Sequence, residues 1–199
     1  MRNELTLAAM MAAAGAAPAA ADLVLTAGNN GGGFVENVLF NEPGLLDNGL
    51  EVEGILNSND SIVDIFSDEI LTTDPGGQAD IAAADGGFDD LLIQFENPML
   101  GWNIGVINLQ ISGDLMATFT ATFADGSTDA ETLTLTGNGQ NFVTFEATPD
   151  SLMTSIKIET TADVDDARQL RLGGVGTVPE PASLGLLGVA SALLMRRRR

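Results

Sequence analysis

Leu115-Met116-Ala117-Thr118-Phe119-Thr120-Ala121-Thr122-Phe123-Ala124 is the stretch that decides the fold. Leu115, Ala117, Phe119, Ala121 and Phe123 recur at every second position, and Thr118, Thr120 and Thr122 fill the gaps between them. Side chains of a β-strand alternate faces with a period of two, whereas a helix repeats every three or four residues. The segment therefore reads as a strand with one apolar face toward a core and a threonine-lined face toward water. Ala124-Asp125-Gly126-Ser127 supplies turn residues. Beyond it, Leu133 and Leu135 alternate with Thr132, Thr134 and Thr136 as the returning strand of a hairpin.

Working outward, the same alternation recurs in short segments broken by Gly, Asn, Asp and Pro. Upstream strands are expected at Leu23–Thr26, Phe34–Phe40, Leu50–Leu56, Ile62–Phe66, Ala79–Ala83, Phe88–Phe95 and Ile104–Ile111. Downstream they are expected at Asn141–Ala147, Met153–Glu159 and Arg168–Leu172. About ten to twelve short strands at such spacing, with no helical period to supply crossovers, predict an all-β fold. The expected architecture is an antiparallel β-sandwich, jelly-roll-like, although alternation alone does not separate that strand order from an immunoglobulin-like one. No fixed repeat is present, which argues against a solenoid or propeller.

Charge narrows the partners. The chain of 199 residues has a net charge of −20, with 28 acids and 8 Lys or Arg. Arg2 and Arg196, Arg197, Arg198 and Arg199 lie at the ends, so Lys157, Arg168 and Arg171 are the only cations between Asp22 and Thr177. Setting aside Glu4 and Glu180, 26 acids face those three cations, a balance near −23. Such a surface repels phosphate backbones, so no nucleic-acid partner is expected, and it attracts divalent cations or cationic partners.

Absent residue types narrow the chemistry further. The sequence has no cysteine, histidine or tyrosine and one tryptophan. This removes disulfides, thiolate and imidazole metal ligands, Ser-His-Asp and Cys-His constellations, and the usual general base near neutral pH. A carboxylate pair is the remaining catalytic route, but any two of 26 acids can be nominated. No enzyme activity is expected. Lys157, between Ile156 and Ile158, belongs on the exposed side of a strand.

The two ends read as addresses. Residues 1–21 have the layout of a secretory signal peptide: Arg2, the apolar run Leu5–Ala17, and Ala19 and Ala21 as the small residues of an A-x-A cleavage site. Residues 22–174 are then the β-sandwich domain, and residues 175–199 a linker and tail. Gly173-Gly174-Val175-Gly176-Thr177 is expected to be a flexible spacer. Pro179-Glu180-Pro181 follows, then the apolar stretch Ala182–Met195 and Arg196, Arg197, Arg198 and Arg199. Fourteen helical residues span about 21 Å against a hydrocarbon core of about 30 Å, so this is a short transmembrane helix aided by snorkelling arginines. The basic cluster keeps the tail's end cytoplasmic and leaves the domain outside.

Pro179-Glu180-Pro181, the short apolar helix and the terminal arginines together resemble the PEP-CTERM sorting signal, read by the membrane-embedded processing enzyme exosortase. The resemblance covers Val178–Arg199. It implies a diderm bacterium that makes exopolysaccharide, a transient inner-membrane anchor, cleavage near Pro179-Glu180-Pro181, and delivery to the cell surface or extracellular matrix. Ala162–Gly174 also resembles the last strand of many exported PEP-CTERM cargo proteins, with Arg168 and Arg171 expected to neutralise neighbouring carboxylates at a sheet edge.

Two ligand classes fit what remains. Acid-rich loops supply the oxygen ligands that calcium needs, and the best clusters are Asp85, Asp89 and Asp90, and Asp163, Asp165 and Asp166. Neither has the EF-hand pattern. Glycan platforms rest on Trp and Tyr rings, but Trp102 in Pro98-Met99-Leu100-Gly101-Trp102-Asn103 reads as a core anchor at a loop edge. Asn29-Asn30-Gly31-Gly32-Gly33 lacks the lysine of a phosphate loop and reads as a turn. The expected role is a non-catalytic exported protein associated with an exopolysaccharide matrix; the alternative is a weak glycan- or calcium-dependent binding module.

Overall fold

The structure, a computed structural model, describes residues 21–74, 80–137, 140–148 and 151–178. The expected signal helix and C-terminal hydrophobic helix fall on residues 1–20 and 179–199, outside the described residues. Among the described residues the helical content is one 3₁₀ turn, Gly32–Phe34.

The founding hairpin forms as its alternation dictates. Leu115–Phe123 has Leu115, Ala117, Phe119, Ala121 and Phe123 buried while Met116 is exposed and Thr118, Thr120 and Thr122 are half-exposed. It pairs antiparallel with Thr128–Leu135, from Thr128 opposite Thr122 to Leu135 opposite Leu115. Gly126 turns the chain at φ 84°, a conformation open to glycine at no steric cost. The Asp125 carboxylate locks the turn by accepting from the Ser127 amide at 2.8 Å and hydroxyl at 2.6 Å. Those bonds favour the ionised form and hold the Asp125 carboxyl below its ordinary range.

Fourteen strands follow one another along the described chain. The first six are β1 (Asp22–Ala27), β2 (Val35–Leu39), β3 (Asn48–Leu56), β4 (Ile62–Thr73), β5 (Asp80–Ala83) and β6 (Phe88–Phe95). Next come β7 (Leu100–Gly101), β8 (Ile104–Gln110), the hairpin strands β9 (Leu115–Phe123) and β10 (Thr128–Leu135), and β11 (Gln140–Thr148). The last are β12 (Met153–Val164), β13 (Asp166–Gly173) and β14 (Gly176–Thr177). Twelve strands form one sheet, in the order β1-β11-β8-β13-β2-β3-β4-β6-β12-β9-β10, with β5 bridging β13 and β4. Every recorded pairing is antiparallel.

This sheet wraps one apolar core to which all twelve strands contribute. Trp102, with 0% exposure, meets the Phe95 ring edge-on at 5.5 Å between centroids, and Phe119 tilts against Phe145 at 6.1 Å. Burying one such ring stabilises the fold by roughly 1.5–3 kcal/mol. The two end strands also meet: the Leu23 amide of β1 donates to Asp129 Oδ2 of β10 at 2.9 Å. A carboxylate thus occupies an amide that an open edge would offer to another chain.

Three interruptions of the period-two pattern matter for function. Between Gly49–Leu71 and Glu51–Phe66, β3 uses only Leu50 while β4 uses Ser67, Asp68, Glu69 and Ile70. Between Glu159–Asp90 and Val164–Phe88, β6 uses only Asp89 while β12 uses Thr160 to Asp163. Between Arg168–Asn108 and Arg171–Val106, β13 uses Gln169 and Leu170 against Ile107, with Gln169 at φ 52°. Bulges of this kind bend a strand and re-aim its side chains.

Two local expectations need correction. β13 lies mid-sheet, paired with β8 on one side and β2 and β5 on the other, rather than at an edge. The glycine spacer is not a free linker either. Gly173 ends β13, and a Cβ there would strike the Phe34 carbonyl; one at Gly174 (φ 61°) would strike the Asn103 side chain. These glycines serve close approach, not looseness. Gly176 and Thr177 then pair with Gly101 and Leu100, and the Val178 amide donates to the Met99 carbonyl at 2.8 Å.

Candidate functional site

The residues expected to bind a metal come from two places, and the fold sorts them differently. Asp89 and Asp90 open β6, which lies between β4 and β12. Both neighbours bulge at that point, so Asp68 and Glu69 arrive from β4 and Asp163 from β12. One carboxylate oxygen from each of Asp68, Asp89 and Asp90 lies within 4.8 Å of the other two. Asp85, in the exposed turn before β6, is close enough to be the chief influence raising the Glu69 carboxyl; burial, Asp68, Asp89 and Asp163 add to it.

Local donors already organise much of this patch. Asp90 Oδ1 accepts from the Ser67 hydroxyl at 3.0 Å and from the Asp68 amide at 3.1 Å. Asp68 is raised by a hydrogen bond to the Asp90 carboxyl and by repulsion from it. Lys157 donates to Glu159 at 2.7 Å, on the exposed side of β12 as expected, which raises the ammonium. Asp90 and Asp68 add to that shift, so Lys157 feels the patch.

Asp165 and Asp166 do not join Asp163. Asp165 Oδ2 accepts from the Ser112 hydroxyl at 2.6 Å. Asp166 Oδ1 lies 2.7 Å from Arg168 Nε, and Asp80 Oδ2 lies 3.9 Å from the same nitrogen. The expected neutralisation therefore holds for Arg168. Arg171 instead donates to the amide oxygens of Asn37 and Gln169, at 3.0 and 2.9 Å.

A second constellation was missed in the sequence. Strict alternation puts Arg168 and Arg171 on opposite faces, but the Gln169 bulge returns both to the face away from the core. Across that face Phe142 of β11, Asn108 of β8, Arg168 of β13 and Asp80 of β5 stand in one register row. Asn108 has 0% exposure, and neither its Nδ2 nor its Oδ1 has a hydrogen-bond partner; Gln110 Nε2, beside it, has none either. Leaving a buried polar group unsatisfied costs about 1–3 kcal/mol. The readable signal was the apolar spacing, since Ala167 and Leu170 stand three apart where alternation requires two.

The aromatic inventory is sparse outside. Trp102 is a core residue, as expected, while Phe34 is 83% exposed beside the Gly31–Gly33 turn. Of the expected address residues, Ala21 is buried just before β1. Ala19, Pro179, Glu180, Pro181, Arg196, Arg197, Arg198 and Arg199 lie outside the described residues. Among the described residues, no helix is long and apolar enough to cross a membrane.

Comparison with known proteins identifies the tail. Residues 177–199 match the family model of the PEP-CTERM protein-sorting motif. The chain thus carries a PEP-CTERM sorting signal, which marks it for export by membrane-anchored sorting and for recognition by an exosortase. None of the curated proteins matches it. Among solved structures, a mutant of the family 29 carbohydrate-binding module CBM29-2 is 8% identical over 78% of this chain and 92% of its own, with a TM-score of 0.27. Another mutant, complexed with mannohexaose, is 9% identical over 72% and 91%, with a TM-score of 0.26. Likeness at that level bears on neither strand order nor ligand.

Proposed function

We propose that this protein is a non-catalytic component of the cell surface, packed as a jelly-roll-like β-sandwich and associated with an exopolysaccharide matrix. The PEP-CTERM motif at residues 177–199 carries the reading, since it assigns an exported destination. The domain supplies the second half of the argument. Its 26 acids and three cations favour solubility and repel like-charged neighbours, while divalent ions bridge its carboxylates to acidic polysaccharide. The bulge patch of Asp68, Asp89 and Asp90 is the exposed place for such a bridge. Fractionation of producing cells tests it: the protein is expected in the surface or matrix fraction and is expected to be released by a chelator. Retention unchanged by chelator and by salt would remove the bridging mechanism.

A second reading, direct glycan binding, is favoured by the row Phe142–Asn108–Arg168–Asp80. Sugar sites combine an aromatic ring with a few convergent polar groups, and here the Asn108 amide stands unpartnered between such neighbours. Access requires the Arg168 side chain, 49% exposed, to leave Asp166. Affinity electrophoresis in polysaccharide gels separates the readings. Retardation that survives chelator and is lost in Asn108→Ala supports the row, whereas retardation lost with chelator alone supports bridging.

A further inference from the structure

Glu51 and Glu53 stand two apart on β3, so their side chains leave the same face, while Val52 between them is buried in the core. Asp64 on β4 pairs in register with Glu53, and its neighbours Val63 and Ile65 are both core residues. All three acids therefore emerge on the outer face of adjacent strands. One carboxylate oxygen from each lies within 4.8 Å of the other two. Unlike the bulge patch, this group includes a buried member: Asp64 is 6% exposed, and its Oδ1 has no hydrogen-bond partner.

A buried carboxylate without a donor is costly, because charge and lone pairs have lost water and gained nothing. Ordinary remedies are engaged elsewhere. Glu53 Oε2 takes the Leu46 amide at 3.0 Å. Lys157 is held by Glu159, Arg168 by Asp166, and Arg171 by Asn37 and Gln169. The next charge toward Asp64 is another acid, Glu96. Among the described residues, three negative groups thus converge with no positive one to answer them.

We propose that Glu51, Glu53 and Asp64 hold a calcium ion against the outer face of β3 and β4. The donor set is all oxygen, which selects a hard cation over zinc or copper. Calcium accepts six to eight oxygens in flexible geometry and takes carboxylates readily, whereas magnesium demands a near-octahedral shell and keeps its waters. Three carboxylates side by side on a pleated surface suit the first ion, with water completing its shell. Burial, then Glu51, Glu53 and Glu96, pushes the Asp64 carboxyl up to about 6, so without the ion the site takes a proton as it acidifies. The site stands apart from matrix association, since its ion ties two strands of one domain together.

The test uses the full chain, stripped with chelator and then titrated with CaCl2 in a calorimeter, with melting followed by emission from Trp102. Wild-type protein is expected to bind and to melt higher with calcium. Asp64→Asn keeps the side chain's volume and removes its charge; it is expected to melt higher than wild type without calcium and to lose at least tenfold in affinity. Asp90→Asn, in the bulge patch, is expected to keep the calcium-induced rise in melting temperature while weakening chelator-sensitive matrix retention. No heat and no melting shift with millimolar CaCl2, or full affinity in Asp64→Asn, would overturn the site. Loss of that rise in Asp90→Asn alone would place the ion on the bulge patch and overturn it too. An equal melting shift with MgCl2 would overturn the choice of ion.

Discussion

Two carboxylate trios sit on this sheet, and they answer the same electrostatic problem differently. Asp68, Asp89 and Asp90 lie where two strands bulge; water reaches them, and the bulge itself donates to Asp90 through the Ser67 hydroxyl and the Asp68 amide. Glu51, Glu53 and Asp64 lie where β3 and β4 pair in step from Glu51–Phe66 to Ile55–Ile62; Glu53 accepts the Leu46 amide, but Asp64 Oδ1 is left unpaired. The contrast teaches that crowding of acids is not itself a signal of ligation. What distinguishes the second trio is one buried carboxylate oxygen, Asp64 Oδ1, that no donor answers.

The comparison breaks first if regular pairing is not what confines Asp64. Ile65, its core-facing neighbour, is fully buried, and Ile65→Ala is expected to cost about 2–5 kcal/mol by denaturant unfolding. A loss below about 1 kcal/mol would mean the trio rides on a loosely packed strand. The next effect is one of pH. The folded Asp64 carboxyl is raised from 3.8 to about 6, so its ionised form opposes folding. In chelator the penalty is fully present above about pH 6, shrinks as pH falls toward 3.8, and is absent below that. Stability is therefore expected to rise on acidification from pH 7 to 5, by on the order of 1–3 kcal/mol. Asp64→Asn should flatten that slope, and a slope unchanged in the variant would break the contrast.

Smaller effects sharpen the exposed side. Asp90→Ala removes the acceptor of two bulge hydrogen bonds and is expected to cost about 1–2 kcal/mol. Its sharper readout is faster hydrogen exchange at the Asp68 amide, with exchange at Asp64 unchanged. Smallest is Lys157→Met. Lys157 is bonded to Glu159 in the open, so the change is expected to be worth less than about 1 kcal/mol and to fade with added salt.

How much of this was legible follows from where the chain keeps its period. Strands with unbroken alternation, such as β9, were readable nearly to their ends. β4 and β12 were read only as far as Phe66 and Glu159, the residues at which their bulges begin. A bulge is set by pairing with another strand, which local alternation does not contain. The same limit split the expected metal residues: Asp163 and Asp165 are neighbours in sequence, but one belongs to the β6 patch and the other to Ser112. The Asp64 trio had a readable trace. An acid interrupts the apolar run Ile62-Val63-Asp64-Ile65-Phe66, opposite the alternating Glu51-Val52-Glu53. The cross-strand partner that gives it meaning was not readable. Glycine misled in the opposite direction, because Gly173 and Gly174 looked like slack and are points of contact.

The pairing of β14 with β7 has a mechanical consequence. The last recorded bond, Val178 to Met99, is one residue short of Pro179. Tension applied beyond Val178 loads that bond alone, then the Thr177–Leu100 pair, then Gly176–Gly101, so the strap unzips in sequence instead of shearing all at once. Three freed residues add about 10 Å of extended chain. The Trp102–Met153 bridge behind them stays out of the line of force. Peeling this strap would lengthen the chain ahead of Pro179 by that amount and leave the core untouched.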